Sequence, residues 1–324
     1  MKRSLFATLA AALLCACAAL PPGTAAARDA ACSATAKRAP GDPRIHLAIA
    51  EALRQHELFG GQTIERNGGM FRVGQHEAEW GRAPGDPTGV WQRVAAFWQA
   101  LDASEPPRVL TSQGWVERTE AAGGAATIGS RADLAVREAL LRAAIIDTPW
   151  SAAFLSYVMK TAGFGAEEFV FSDSHVDYVQ ASFQASAAEA AGSEVRYAYR
   201  ACDVATTPPR AGDMLCATRA STAGVASYRA LAAALSTRMG SEPFPMHCEL
   251  VVRADAGGDA KLETIGGNVV QSVTLSRMTL NADKVLGAAY FAGAAPAADC
   301  VRSGQECREH LGRRPWAVLM QLRR

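Results

Sequence analysis

Thr148-Pro149-Trp150-Ser151-Ala152-Ala153-Phe154-Leu155-Ser156-Tyr157-Val158-Met159 reads as the start of a buried helix that holds a hydroxyl in its first turn. Thr148 is the expected N-cap, and Pro149 suits the first helical position, where its missing N–H costs nothing. Trp150, Phe154, Leu155, Val158 and Met159 follow helical spacing, so one wide face is expected to be buried. Gly163 supplies the stop. Ser151 is thereby placed where unpaired backbone N–H groups and the positive end of the helix dipole favour a developing anion. A serine near a helix start equally serves as a cap or as a small packing residue.

On the N-terminal side of this stretch, residues 132–146 form an expected helix that runs into Thr148. Residues 45–58 read as an amphipathic helix. Residues 62–66 and 70–74 flank Asn67-Gly68, a strong hairpin signal. A helix over 88–101 puts Trp91, Val94, Ala95 and Trp98 on one face, which suits core packing. On the C-terminal side, Asp173 or Ser174 caps a helix that continues through Tyr178 to Ala190. The turn cluster Pro208-Pro209-Arg210-Ala211-Gly212-Asp213 delivers a strand over 214–218, and residues 225–239 read as helical. Strand-like runs follow at 247–252, 261–265, 269–275 and 316–322. Helices come first and strands later, which favours α+β over a doubly wound sheet.

Lys2 and Arg3 precede an apolar run that is too short to span a bilayer, the pattern of an export leader. Ala25-Ala26-Ala27 offers one cleavage site, giving a leader over 1–27. Leu14-Cys15-Ala16-Cys17 offers another, a lipoprotein box that would leave Cys17 lipidated as the one tie to a membrane. Residues 28–44 read as a flexible tether, 45–125 as an N-terminal elaboration and 126–324 as the main domain. The chain has 33 Lys and Arg against 32 Asp and Glu, so no basic field exists to attract nucleic acid. Beyond the leader lie Cys32, Cys202, Cys216, Cys248, Cys300 and Cys307, and export makes disulfides their default reading. Cys300 and Cys307 suit a short loop, Cys216 and Cys248 a bridge across a sheet, but the pairing stays open. No C-x-x-C occurs, and His46, His56, His76 and His310 fit no ligand spacing, so neither metal nor cofactor is expected.

Four short motifs then carry a resemblance. Trp150-Ser151-Ala152-Ala153-Phe154 resembles the Trp-Cys-Ala-Ala-Phe segment of papain-like cell-wall amidases, the NlpC and CHAP groups. Gly212-Asp213-Met214-Leu215 is similar to the Gly-Asp strand entry of those domains. Met246-His247-Cys248-Glu249-Leu250 resembles their histidine-bearing strand, and Ile265-Gly266-Gly267-Asn268 resembles a Gly-Gly-Asn segment of a CHAP-like branch. The order agrees throughout and covers roughly residues 130–280. The chain as a whole looks like an uncharacterised bacterial domain-of-unknown-function family related to those amidases. The resemblance implies a papain-like domain, with helices packed on a small antiparallel sheet, in an envelope or periplasmic protein.

The chemistry it implies is acyl transfer on the stem peptides of peptidoglycan. Ser151 would be the nucleophile, His247 the base and Asn268 the orienter, with Glu263 as alternative orienter. Trp150, His175 and Asp213 are the candidate cleft-lining residues. The bland readings stand beside these roles: a core histidine at 247, a turn asparagine at 268 and a helix-capping cluster around His175. The serine departs from the cysteine of the amidases, because a hydroxyl does not ionise at a helix terminus as a thiol does. A second expectation follows from it, a non-catalytic wall-binding or scaffold protein that keeps the cleft without the thiol. Cys248 is expected to point away from His247, since adjacent strand residues alternate.

Overall fold

A computed structural model describes residues 22–104, 107–112, 131–240, 242–294 and 310–324. Strands β1 (Gln62–Ile64), β2 (Met70–Arg72), β3 (Tyr199–Cys202), β4 (Met214–Thr218), β5 (Met246–Ala254), β6 (Lys261–Val269), β7 (Ser272–Thr279) and β8 (Trp316–Leu322) form one sheet. Their order is β2-β1-β7-β6-β5-β4-β8-β3. All pairings are antiparallel except β1 with β7. The described helices are α1 (Pro22–Ala36), α2 (Arg44–Leu58), α3 (Val90–Gln99), α4 (Arg108–Ser112), α5 (Arg131–Asp147), α6 (Ser151–Thr161), α7 (His175–Ala190) and α8 (Tyr228–Thr237). The α+β expectation is met at this level.

The two faces of the sheet are covered differently. On one, Met214, Cys216, Cys248, Leu250 and Ile265 join a core cluster with Phe97 of α3 and Phe154, Leu155 and Val158 of α6. On the other, Leu215, Ala217, Val251, Leu262, Trp316 and Leu319 pack with Cys32, Cys202 and Tyr290. Every residue of β4 and β8 is buried, as expected for central strands covered on both faces, which read as continuous apolar runs. Residues of the 45–125 segment pack into this core and onto this sheet. Ile45, Ala48 and Ala52 of α2 lie in the first cluster, and β1 extends the sheet beside β7.

Several sequence expectations change in detail. The central helix begins two residues later than Thr148-Pro149 implies: Trp150 is the N-cap and Ser151 the first helical residue. The Thr148 hydroxyl caps nothing and has no partner, because the chain turns only at Trp150. Its end is as read: Gly163 takes a φ of +91°, which suits a residue without a Cβ, and Phe164 N–H donates to Met159 O at 3.2 Å. Of the tether expected over 28–44, residues 28–36 lie in α1, which is joined to β3 by a Cys32–Cys202 disulfide. A second disulfide links Cys216 and Cys248 across β4 and β5. Both are compatible with an oxidising, extracellular or periplasmic setting. Residues 1–21 of the expected 1–27 leader, with the Cys17 box, and the Cys300 and Cys307 loop lie outside the described residues, whereas its last residues, 22–27, are the start of α1. Among the described residues no helix is long and apolar enough to cross a membrane.

Candidate active site

The head of α6 is held from two sides. Trp150 is fully buried and packs among Phe59, Phe97 and Phe154, with ring centroids 5.8, 5.6 and 6.5 Å away. Its indole Nε1 donates to Glu77 Oε2 at 3.0 Å. Assigning the Asn268 amide from its neighbours, its nitrogen donates to Glu77 Oε2 at 3.1 Å and its oxygen accepts from Trp150 N at 3.3 Å. Asn268 sits at a φ of +53° where β6 turns toward β7, and Glu77 N–H donates to Gln271 O in that turn. Desolvation raises the Glu77 pKa, and the Trp150 hydrogen bond only partly offsets it.

Further along α6, Ser156 fixes the start of the next helix. Its hydroxyl donates to Ser172 O at 2.8 Å and accepts from Ser172 N at 3.0 Å. Ser172 Oγ in turn donates to Asp177 Oδ2 and accepts from Ser174 N–H. This serine hub seats the first turn of α7 against α6, and His175 arrives at Ser151. Ser151 Oγ lies 2.7 Å from His175 Nε2. His175 Nδ1 meets the hydroxyl of Tyr178, one turn on along α7. The backbone N–H groups of Ser151, Ala152 and Ala153 have no acceptor among the described residues, as the first turn of a helix dictates. The helix ladder opens with Phe154 N–H to Trp150 O at 2.9 Å.

His247 reaches this pair through His175, with ring centroids 5.2 Å apart. Its Nε2 lies 3.4 Å from Glu249 Oε1 and has no hydrogen-bond partner. A Cβ on Gly266 would meet His247 Nε2 and Glu249 Cγ, whereas one on Gly267 would meet Phe154 of α6. His247 and Glu249 therefore share one face of β5, and Cys248 takes the face toward α6. The expected alternation of 247 and 248 holds. Glu249 is fully buried, ion-paired to Arg314 and bonded to Thr264. Burial alone would raise its pKa, but Arg314, His247 and Thr264 outweigh that and hold it at about 2.

Burial lowers the pKa of both imidazoles. His175 is pushed well down by desolvation, then by His247 and Arg219. His247 is lowered by desolvation against a favourable Glu249 contact. Both are neutral at pH 7. Burial likewise pushes the Tyr178 hydroxyl well above its ordinary range, so it stays a phenol. No cleft opens here: Ser151, His175 and His247 expose 3%, 3% and 7% of their surface.

The arrangement differs from the order read in sequence. The partner of Ser151 is His175, expected only to line a cleft, and the group on the far side of that ring is Tyr178. Asn268 serves the helix head, with no hydrogen bond to His247 among those described. Glu263 pairs with Arg277 at 3.3 Å on the β6–β7 ladder, remote from the imidazoles. Asp213 lines no cleft. It is fully buried, binds Arg210 and accepts Leu322 N–H at 2.8 Å, which ties the strand entry to β8. Desolvation raises its pKa to about 6 against those bonds. Among the described residues no group of His, Cys, Asp or Glu is placed to hold a metal.

A family model described as "Uncharacterized protein conserved in bacteria (DUF2272)" matches residues 85–322. The chain belongs to this family. The DUF2272 match takes in Trp150, Ser151, His175, Tyr178, His247, Glu249 and Asn268 and the strands β3 to β8, but not Phe59 or Glu77. No curated protein matches the chain, and no solved structure does.

Proposed function

We propose that this DUF2272 protein is an exported serine-dependent acyl hydrolase that cleaves amide bonds, with peptidoglycan stem peptides as substrate class. The observation that carries the reading is the 2.7 Å contact between Ser151 Oγ and His175 Nε2 at the N-terminus of a helix. With the His175 Nδ1 proton given to Tyr178, Nε2 is free to accept the Ser151 proton as Oγ attacks a carbonyl carbon. The open N–H groups of the first α6 turn would receive the oxyanion. His175 would return the proton to the departing amine, and water would hydrolyse the resulting ester. Tyr178 takes the orienting role expected of Asn268, and the substrate class rests on the resemblance to NlpC and CHAP amidases.

The rival, a wall-binding protein without turnover, is favoured by one observation: Ser151 and His175 are almost wholly covered, so a substrate must displace part of the cover. A fluorophosphonate, which phosphonylates activated serines, separates the two. The hydrolase reading requires an adduct on Ser151, lost in Ser151→Ala, together with release of peptides from purified peptidoglycan. Sedimentation with the wall, without adduct or release, would establish the binding reading instead.

A further inference from the structure

Trp150 is held by two groups of different origin. Asn268 comes from the end of β6, inside the DUF2272 match, whereas Glu77 comes from a segment that the match over 85–322 leaves out. Asn268 leads into the two-residue turn between Val269 and Ser272, which pair across β6 and β7. Its φ is +53°, and the two turn residues, Val270 and Gln271, take +48° and +61°. A turn with positive φ at both central residues suits Asn-Gly; a β-branched valine there is strained. Strained backbone persists where its surroundings over-determine it, and residues 62–77 supply that hold. Gln62 is fully buried, and its amide donates to Val269 O and Val270 O at 3.0 and 3.1 Å. Gln75 O accepts from Ser272 Oγ at 2.9 Å, and Glu77 N–H donates to Gln271 O at 2.9 Å.

The same stretch ends at the Glu77 carboxylate, where two donors converge. Oε2 accepts from the Trp150 indole and the Asn268 amide, and Asn268 in turn accepts Trp150 N–H. The three residues thus form a closed ring of hydrogen bonds. Glu77 exposes 3% of its surface, and a buried carboxylate costs free energy unless donors such as these meet it. The Trp150 carbonyl is the first acceptor of the α6 ladder. In a planar trans peptide the Ser151 N–H points opposite to that carbonyl, out of the helix head. Fixing Trp150 therefore fixes the first of the open N–H groups, and with it the base of the Ser151 side chain.

We propose that Glu77 is a positioning residue for Ser151: through Trp150 and Asn268 it sets the direction of the backbone N–H groups at the head of α6. Its bearing on catalysis rests on the hydrolase reading; its hold on the helix head does not. Residues 62–77 thereby complete the site without touching the reacting atoms.

The test follows fluorophosphonate labelling of the full chain against probe concentration, which separates the maximal rate from the half-saturating concentration. Glu77→Ala should lower the maximal rate by at least about tenfold and leave half-saturation alone, since misplaced reacting groups cost up to about 10²-fold. Glu77→Gln keeps an acceptor oxygen for both donors and should recover most of that rate. A Glu77→Ala rate equal to the native one, an effect on half-saturation alone, or a Glu77→Gln rate as low as that of Glu77→Ala would each overturn the assignment. Should Glu77→Ala not fold, Trp150→Phe takes its place in every readout, because it keeps an aromatic ring and removes the indole donor. Its maximal rate should fall, and an unchanged rate would overturn the assignment. Backbone amide resonances of Ser151, Ala152 and Ala153 are read by NMR in the same proteins. They should shift in Glu77→Ala and stay in place in Glu77→Gln; unshifted resonances in Glu77→Ala would overturn the positioning role even where labelling is slow. A native protein that is not labelled, with the shifts as expected, would overturn the hydrolase reading alone.

Discussion

At the scale of single residues, the tautomer of His175 decides what its contact with Ser151 does. With the proton on Nδ1, Tyr178 accepts and the ring is a base toward Ser151; with the proton on Nε2, the ring only donates to the hydroxyl. Replacing His175 with Gln should slow fluorophosphonate labelling of Ser151 by about 10²- to 10⁴-fold, the range for loss of a positioned base. Tyr178→Phe should slow it less, because the base remains and only its orienter is lost. The lowered His175 pKa also sets a pH profile. A base must be neutral to act, so the labelling rate should stay level from pH 8 down through 6.5. A fall centred at 6.5 would mean an ordinary, solvated imidazole. The Ser151, His175 and Tyr178 set was only partly legible in sequence. Ser151 was visible from its helix, and the i,i+3 spacing of His175 and Tyr178 puts them on one helical face. What the residues do not show is the Ser156 and Ser172 hub that brings α7 to α6, since that packing is tertiary. The pairing of His247 with Glu249 was readable, because i and i+2 on a strand share a face.

Elements were the more legible level, because periods of 3.6 and 2.0 are local properties of the chain. The helix over 132–146, the strand over 214–218 and the strand over 316–322 agree with α5, β4 and β8 to within a residue. The hairpin at Asn67-Gly68 forms as read. β3 was missed: Tyr199-Arg200-Ala201-Cys202 has too few residues to show a period. The expected strands at 261–265 and 269–275 leave Gly266-Gly267 in the gap between them, yet β6 runs through the pair to Val269. The glycines serve close approach there, Gly267 to Phe154 and Gly266 to His247. Asn268→Ala removes the acceptor of Trp150 N–H and a donor to Glu77. Chemical denaturation should show a loss of about 1–3 kcal/mol, the cost of leaving a buried donor unmet. Glu249 contributes a second, pH-dependent term. Its folded pKa of about 2 lies below the ordinary 4.5, so its stabilisation is full above pH 4.5 and lost as pH falls toward 2. Across that window Glu249→Gln should flatten the stability curve by about 3 kcal/mol, at 1.36 kcal/mol per pKa unit. An unchanged acid slope in the variant would contradict the assigned role of the Arg314 pair.

For the molecule as a whole, the sheet joins distant parts of the chain. The Cys32–Cys202 bridge spans a sequence separation of 170 and turns what reads as a tether into a fixed helix. Its polar, proline-containing composition gave no hint of this, because the fixing comes from a bond to a residue far along the chain. Replacing both cysteines with serine should cost about 2–5 kcal/mol in urea unfolding, the range for loss of a native disulfide. A negligible change would mean that α1 is held by packing alone.

β8 lies between β4 and β3, and this position has a temporal consequence. A chain made from its N-terminus synthesises residues 199–202 more than a hundred positions before 316–322. During that interval β3 has no neighbour to hydrogen-bond with in the native register, and the free edge of β4 is a template for any extended segment nearby. The sheet can close only after synthesis of the last strand, when it inserts between two older ones. Nascent chains arrested before residue 316 should therefore stay protease-sensitive through β3 even with Cys32 and Cys202 already present, and a holding chaperone would have most to protect in that window.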